Sequence, residues 1–309
     1  MCGKLLKAAM PDLLAALERH GELKLTDEVR ELLLEMSAST IDRLLKRGTR
    51  RLSDLLPRRR ERLPAGLKSE VPVRTWSEWQ DAEPGELQAD LVLHCGERLE
   101  GFFLSTLCAV DVASGWSQRE AIWGQSQQRV GAGMHHLHRR LPFTLRALHT
   151  DNASQFINRA LIDWCKRHDV RFSRGRPYKK NDQAWVEQRN WQSVRRLIGY
   201  GRYHSKAAYH LLRDLYPLLD LQMNFFRPLR KVVSKERQGA RVSKRYDEPR
   251  TPYQRLVASG VLRAEDRDRI DQQLEALNPA ELQRRIDRLL RKLWQLADHP
   301  EGGSLANVG

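Results

Sequence analysis

The feature that most constrains the fold is the alternation of short apolar strands with amphipathic helices between residues 86 and 200. The segments LQADLVLHC, GFFLSTLCAVDV and WSQREAIW alternate apolar and polar residues between turns, which predicts three antiparallel strands. A helix, a strand ending at Asp151, a second helix, the short strand VRFSRG and a long helix from Asn181 follow. This β-β-β-α-β-α-β-α order predicts an α/β fold in which helices flank a mixed sheet.

Three acidic residues occupy positions on these elements that suggest a metal-binding catalytic site. Asp90 interrupts the apolar strand LQADLVL, where a charge is costly unless it is paired or bound to a cation. Asp151 ends the fourth strand, and Glu187 lies about two turns into the helix from Asn181, with thirty-five residues between these two acids. Carboxylates that converge from different elements can hold two divalent ions about 3.5–4 Å apart for phosphoryl transfer. We therefore expect Asp90, Asp151 and Glu187 to bind two Mg²⁺ or Mn²⁺ ions, with Asp90 as the bridging ligand.

Two further acids compete for these roles. Asp111 lies in the second strand and is the alternative to Asp90, while Asp182 is the alternative to Glu187. Asp182 is close to the start of its helix, where a negative charge also suits the helix dipole. Taken alone, Asp151 is as compatible with a role in capping the next helix as with a role as a metal ligand.

The charge balance points to a polyanionic partner. Lys and Arg outnumber Asp and Glu by 54 to 39, which gives a net charge of +15 and a pI near 10.0. Basic proteins of this kind commonly neutralise nucleic-acid phosphates, although scattered solvated charge is the simpler alternative. No apolar run approaches the roughly 20 residues of a membrane span. The four widely spaced cysteines favour a reducing compartment, so we expect a cytoplasmic, nucleoid-associated protein.

Residues 1–56 are predicted to be helical. Thr26 can cap a helix in LTDEVRELLLEM, and Ser37 or Ser39 can cap a second helix in SASTIDRLLKRG that ends at Gly48. The short break between them suits a helix-turn-helix-like DNA-binding region, although a plain helical hairpin is the alternative. The apolar side chains expected to face inward are Leu25, Val29, Leu32, Leu33, Met36, Ile41, Leu44 and Leu45, and the expected DNA contacts are Arg43, Lys46 and Arg47.

Composition divides the rest of the chain. Residues 57–75 contain prolines and an arginine run and are predicted to be a basic linker. Residues 76–226 form the predicted α/β core. Residues 227–309 are a basic C-terminal region, in which 227–255 show no clear periodicity and Asn278 can cap a terminal amphipathic helix.

At the acidic residues the chain resembles the catalytic core of retroviral integrases and of the related DDE transposases. The resemblance is carried by CAVDVASGW, by LHTDNASQF, by RGRPYKKNDQAWVEQRNW with its Asp-x35-Glu spacing, and by NFFRP and TPYQRL further on, and it covers roughly residues 72–256. It implies a ribonuclease-H-like five-stranded sheet and a metal-dependent reaction in which DNA ends are nicked and joined to a target. The chain departs from the family at Ala153, where glycine is common, and lacks a His-His-Cys-Cys zinc module.

The resemblance also implies double-stranded DNA as partner and a homo-oligomer assembled on it. Further candidate DNA contacts are basic residues around the glutamate helix: Arg174, Arg176, Lys179, Lys180, Arg189, Arg195 and Arg196. The cluster His135, His136 and His138 is interpreted as surface-exposed or DNA-facing. The alternative functions are a catalytically silent DNA-binding relative and a structure-specific nuclease of the same fold.

Overall fold

The computed structural model describes residues 1–46, 71–74, 82–176, 184–238 and 241–298. Their contacts divide the chain into two compact units. The first comprises described residues 1–46, 114–116, 221–238 and 241–284, and the second comprises 71–74, 82–113, 117–176, 184–220 and 285–298. Within these ranges no helix has the length and apolar character needed to cross a membrane.

The second unit is built on a mixed five-stranded sheet in the order β3-β2-β1-β4-β5. The central strand β1 pairs antiparallel with β2 on one side and parallel with β4 on the other. The predicted ribonuclease-H-like sheet and the order of its elements are therefore confirmed. The strands are β1 (Glu86–Leu93), β2 (Ser105–Asp111), β3 (Ser117–Ile122), β4 (Ala147–Thr150) and β5 (Arg171–Arg174).

Helices cover both faces of this sheet, because apolar side chains project from both sides of its buried strands. The helices α4 (Gln127–Arg140) and α5 (Arg159–Arg167) pack on one face, while α6 (Ala184–Asn190) and the first part of α8 (Lys206–Phe225) pack on the other. Gly133 allows α4 to approach closely, since an added Cβ would lie 2.5 Å from Ile122 Cδ1. The result is a three-layer α/β/α unit.

The helix predicted from Asn181 to Tyr200 is interrupted. Residues 181–183 lie outside the described ranges, and α6 passes into a π-helical segment (Trp191–Arg195) and the short α7 (Arg196–Ile198). Ser193 Oγ donates to the carbonyl oxygen of Arg189, four residues earlier, at 2.7 Å. A serine bonded in this way competes with the regular helical hydrogen bonds and distorts the helix.

The N-terminal part of the first unit consists of three helices, α1 (Gly3–Arg19), α2 (Asp27–Glu35) and α3 (Ala38–Lys46). Thr26 Oγ1 accepts from the Val29 N–H at 3.4 Å, and Ser37 Oγ accepts from the Thr40 N–H at 3.1 Å, so the predicted caps of α2 and α3 are confirmed. The core of the three helices contains Met10, Leu14 and Ile41.

Four of the side chains expected to face inward are instead exposed. Val29 and Leu32 of α2 are 43% and 59% exposed, and Leu44 and Leu45 of α3 are 49% and 40% exposed. The reason is that α2 and α3 have only nine residues each, so few of their side chains contact α1. Those places are taken by Ile41 and by the partly buried Leu25, Leu33 and Met36. The helix-turn-helix interpretation stays a prediction, and Gly48 lies outside the described ranges.

The basic C-terminal region is more regular than its sequence indicates. Residues 227–255, to which no structure was assigned, contain an antiparallel hairpin of β6 (Val232–Gln238) and β7 (Arg241–Tyr246). The helices α9 (Pro252–Ser259), α10 (Ala264–Ala276) and α11 (Pro279–Trp294) follow. The predicted cap of α11 is confirmed, because Asn278 Oδ1 accepts from the N–H groups of Ala280 and Glu281.

Candidate active site

The register of β1 and β4 aligns two of the predicted acids. The two strands are parallel, and Gln88 pairs with His149. The same register carried two residues further brings Asp90 level with Asp151, which directly follows β4. Level residues on neighbouring strands project from the same face, so continuation of this register directs both carboxylates to one side of the sheet.

The helix α6 covers this same face. Gln88 and Asp90 of β1 lie opposite Val110 and Cys108 of β2, and residues directly opposite share a face. Val186 of α6 packs with Cys108 and Val110, while its N–H donates to Gln88 Oε1 at 3.3 Å. The sequence therefore places an apolar residue and a buried amide where the helix contacts the sheet.

Glu187 follows Val186 and precedes Asn190 by three residues on α6. Val186 and Asn190 are buried between α6 and the sheet, whereas Glu187 is half-buried. Asn190 Nδ2 donates to Asp90 Oδ2 at 2.7 Å, and the Leu91 N–H donates to Asp90 Oδ1 at 2.9 Å. The glutamate helix and the first acid are thus joined directly.

The loop that carries Asp151 is held in place by its neighbours. The N–H of Ala153 donates to Asp151 Oδ1 at 2.9 Å, so alanine at this position is compatible with the turn. Asn152 Nδ2 donates to the carbonyl oxygen of Gly175, and Arg174 Nη1 donates to Asn152 Oδ1 at 2.9 Å. These bonds tie the chain after β4 to the chain after β5.

The competing acid Asp111 lies on the opposite face of the sheet. It is opposite Leu87, one residue out of phase with the positions that face α6. It is fully buried, and its Oδ1 accepts from the Gly85 N–H at 2.8 Å. Asp111 therefore has a structural role, and Asp182 lies outside the described ranges.

The donor atoms of Asp90, Asp151 and Glu187 suit Mg²⁺ or Mn²⁺, which prefer oxygen ligands. Among the described residues, no group of three or more His, Cys, Asp or Glu side chains is positioned to hold a metal ion. Mg²⁺ in phosphoryl-transfer sites is commonly held by one or two carboxylates together with water and substrate phosphates. Among the described residues, Asp90, Asp151 and Glu187 therefore do not form a preformed metal site, and further ligands would come from water and substrate phosphates.

A buried polar network supports the glutamate helix from the sheet. Arg119 of β3 lies opposite Cys108 and is fully buried; its Nη1 is 2.5 Å from Asp220 Oδ1, and its Nε donates to Ser193 Oγ at 2.9 Å. Burial raises the pKa of Asp220 to about 6, although the Arg119 charge opposes this shift. Burial also lowers the pKa of Arg189 to about 10, and the Arg119 charge adds to the effect.

The predicted DNA contacts fall into distinct classes. Arg189 of α6 is only 6% exposed, so the prediction that it contacts DNA does not fit its burial. Arg174 is half-buried and engaged with Asn152, and Arg195 Nη2 donates to the Leu93 carbonyl oxygen at 3.0 Å. The side chains of Arg43, Lys46, Arg176 and Arg196 are exposed, whereas Arg47, Lys179 and Lys180 lie outside the described ranges.

The histidine cluster is partly buried rather than wholly at the surface. His135 and His136 are exposed, but the ring of His138 lies 5.3 Å from that of Trp164 and 5.6 Å from that of His168. Burial lowers the pKa of His138, and the neighbouring histidines add to the shift.

Comparison with known proteins shows the family to which this chain belongs. The family model described as the integrase core domain matches residues 80–180. An uncharacterized protein of Sinorhizobium fredii, y4rM, is 41% identical over 255 residues, which is 82% of this chain and 73% of that protein. The chain belongs to the integrase core family. The resemblance inferred from the motifs is therefore confirmed.

A solved member of the integrase family gives a further similarity. The catalytic core domain of BIV integrase matches with a TM-score of 0.38 and 20% identity, covering 58% of this chain and 97% of that one. The family model ends at residue 180, so Glu187 lies just beyond the matched range of the integrase core domain.

Two residues that organise the site, Asn190 and Gln88, are not among the predicted site residues. Asn190 lies three residues after Glu187, on the same side of a helix. That spacing was a usable signal for Asn190. Its partner Asp90 is 100 residues away along the chain, so the pair itself required the fold.

Proposed function

We propose that this chain is a DDE-type DNA transposase or integrase that nicks DNA ends and joins them to a target. Asp90, Asp151 and Glu187 are the proposed metal ligands, with two Mg²⁺ or Mn²⁺ ions as cofactors. When bound, these ions activate the attacking oxygen and neutralise charge on the phosphoryl group. The observation that carries the proposal is the alignment of Asp90 with Asp151 on the face covered by the glutamate helix.

The proposed reaction has two displacements at phosphorus. A water oxygen attacks the phosphodiester at the donor end, which breaks the P–O3′ bond and frees a 3′-hydroxyl. That hydroxyl then attacks a target phosphodiester, forming a new P–O3′ bond and releasing a target 3′-hydroxyl. The protein's part is to orient the reacting groups and to hold compensating charge. Asn190 contributes by fixing the orientation of the Asp90 carboxylate.

The proposed partner is double-stranded DNA, comprising donor ends and target. The net charge of +15 and the exposed side chains of Arg176 and Arg196 support a phosphate-binding surface. Joining two ends requires two active sites held together, so a homo-oligomer assembled on DNA is part of the proposal. A cytoplasmic, nucleoid-associated location follows from that partner.

The test is a strand-transfer assay with labelled donor-end duplexes, target DNA and Mg²⁺ or Mn²⁺. The unaltered protein is expected to give nicked donor and joined product, and Asp90→Asn, Asp151→Asn and Glu187→Gln are each expected to abolish both. Asp163→Asn is the matched control, because Asp163 is an exposed aspartate of α5. It should leave the products unchanged.

The outcomes separate the alternatives. Cleavage without joining would indicate a nuclease of the same fold, and metal-independent binding with neither product would indicate a silent DNA-binding relative. Joining by Asp151→Asn would show that the proposed site is wrong.

A further inference from the structure

The surface beside Glu187 carries a large aromatic side chain that the proposed reaction does not use. Trp191 follows Glu187 by four residues, at the start of the π-helical segment, and is 54% exposed. Residues four apart on a helix are neighbours, with Cβ atoms about 6 Å apart. An indole ring that faces solvent here leaves apolar area in water beside the candidate site.

The ring is accompanied by cationic side chains. The guanidinium carbon of Arg196 lies 5.8 Å from the centre of the Trp191 ring, and Arg196 is exposed. One residue earlier, the guanidinium carbon of Arg195 lies 5.1 Å from the ring of Tyr200, which is 44% exposed. Exposed aromatic rings accompanied by arginines are typical of sites that bind single-stranded nucleic acid, where bases stack on rings and arginines bind phosphates.

The face of a base is accessible only where the base is unstacked. Within a duplex the bases stack on one another and present only their edges in the grooves. Ring faces become available at frayed ends, at single-stranded tails and at flipped nucleotides. The proposed reaction takes place at the ends of a DNA duplex, where such unpaired nucleotides occur.

We propose that Trp191 and Arg196 form a stacking subsite for an unpaired base of the DNA end, adjacent to Glu187. This inference rests on the proposed function, because it takes the DNA end as the ligand of the neighbouring site. Stacking is tolerant of sequence, since every base has a π-face. The subsite therefore distinguishes an unpaired nucleotide from a paired one and does not read the base.

The test compares binding to two fluorescent duplexes of identical sequence, one blunt and one with a short single-stranded tail, at fixed salt in EDTA. Trp191→Ala is expected to weaken binding of the tailed duplex by about 5- to 150-fold, the range known for loss of one base stack. It should leave binding of the blunt duplex unchanged. Trp191→Phe, which keeps a ring, should retain most of the preference for the tail. Gln192→Ala, at the exposed neighbouring position, should behave as the unaltered protein does.

A 2-aminopurine base in the tail gives a second readout. Its fluorescence should fall when the unaltered protein binds and should fall less with Trp191→Ala. Equal losses for the two duplexes, or no loss for either, would overturn the inference. A change in sedimentation with Trp191→Ala and no dependence on the tail would also overturn it, because the ring would then cover a protein interface.

The inference and the proposed function can fail separately. Binding in EDTA needs no turnover, so a preference for the tail that depends on Trp191 can be measured even if no strand transfer occurs. Conversely, strand transfer by the unaltered protein together with unchanged binding by Trp191→Ala would remove the inference and leave the proposed function standing.

Discussion

The buried ion pair of Arg119 and Asp220 leads to a prediction about stability. The Arg119 side chain is fully buried, and its Nη1 lies 2.5 Å from Asp220 Oδ1. Replacing it by Arg119→Met keeps most of the side-chain length but leaves a desolvated carboxylate without its nearest counter-ion. Removing one partner of a buried pair costs about 3–5 kcal/mol. That is a large part of the roughly 5–15 kcal/mol by which typical proteins are stable.

The pH dependence of this loss follows from the carboxyl group. The ordinary pKa of the Asp220 carboxyl is 3.8 and burial raises it to about 6, so charging the group removes stability as the pH rises between these values. Without Arg119 the folded-state pKa rises further. The variant therefore continues to lose stability, relative to the unaltered protein, as the pH rises above about 6. We expect a larger deficit at about pH 8 than at about pH 5.5.

Equilibrium urea unfolding followed by far-UV circular dichroism measures both deficits. The double variant Arg119→Met/Asp220→Asn is the internal control, because it has no carboxylate at this position, so its deficit should not increase as the pH rises in this range. Arg263→Met removes an exposed ion pair with Asp266 and should cost little stability. A deficit of Arg119→Met that is equal at the two pH values would refute the argument that Arg119 compensates the Asp220 charge.

Three further predictions concern the site and its supports. Asn190→Ala is expected to lower the single-turnover rate of strand transfer by about 10- to 100-fold without unfolding the protein, because Asp90 loses the amide that orients it. An unchanged rate would count against this role of Asn190. Gly85→Ala should cost more than about 1 kcal/mol in urea unfolding, because Gly85 has a φ of +102° and an added Cβ would lie 2.4 Å from a carbonyl oxygen. Burial raises the pKa of the Cys108 thiol to about 11 and that of the Cys165 thiol to about 12. Both thiols should therefore react with Ellman's reagent at pH 8 only after unfolding. Rapid reaction of these two thiols in the native protein would contradict their burial.

The order of the elements along the chain and the positions of two candidate acids on strands could be predicted because their signals are local. The period-two alternation around Asp90 and the strand end at Asp151 are visible within about ten residues of sequence. The choice between Asp90 and Asp111 could not be made locally. Both lie in strands, and only the pairing of β1 with β2 shows that they project from opposite faces.

Other features depend on contacts across long stretches of chain. Arg119 and Asp220 are 101 residues apart, so nothing in the sequence around either one indicates that they form a buried pair. The hairpin of β6 and β7 was missed for a different reason. Its segment is rich in charged residues rather than apolar ones, and period-two apolar alternation, the usual signal of a strand, requires one buried face. The π-helical segment after Asn190 contains a bond from the Ser193 hydroxyl to the Arg189 carbonyl oxygen, and helical periodicity in the sequence does not indicate this contact.

The register between β1 and β4 has a consequence for how the candidate site is completed. The paired residues end at Gln88 and His149, whereas β1 continues beside β2 as far as Leu93. Asp90 and Asp151 therefore flank a fork where the ladder between two strands stops. Along the strands, hydrogen bonds fix the height of each carboxylate. Across the fork, the described ladder between β1 and β4 does not reach the level of the two carboxylates, so strand hydrogen bonds of that ladder do not fix their separation.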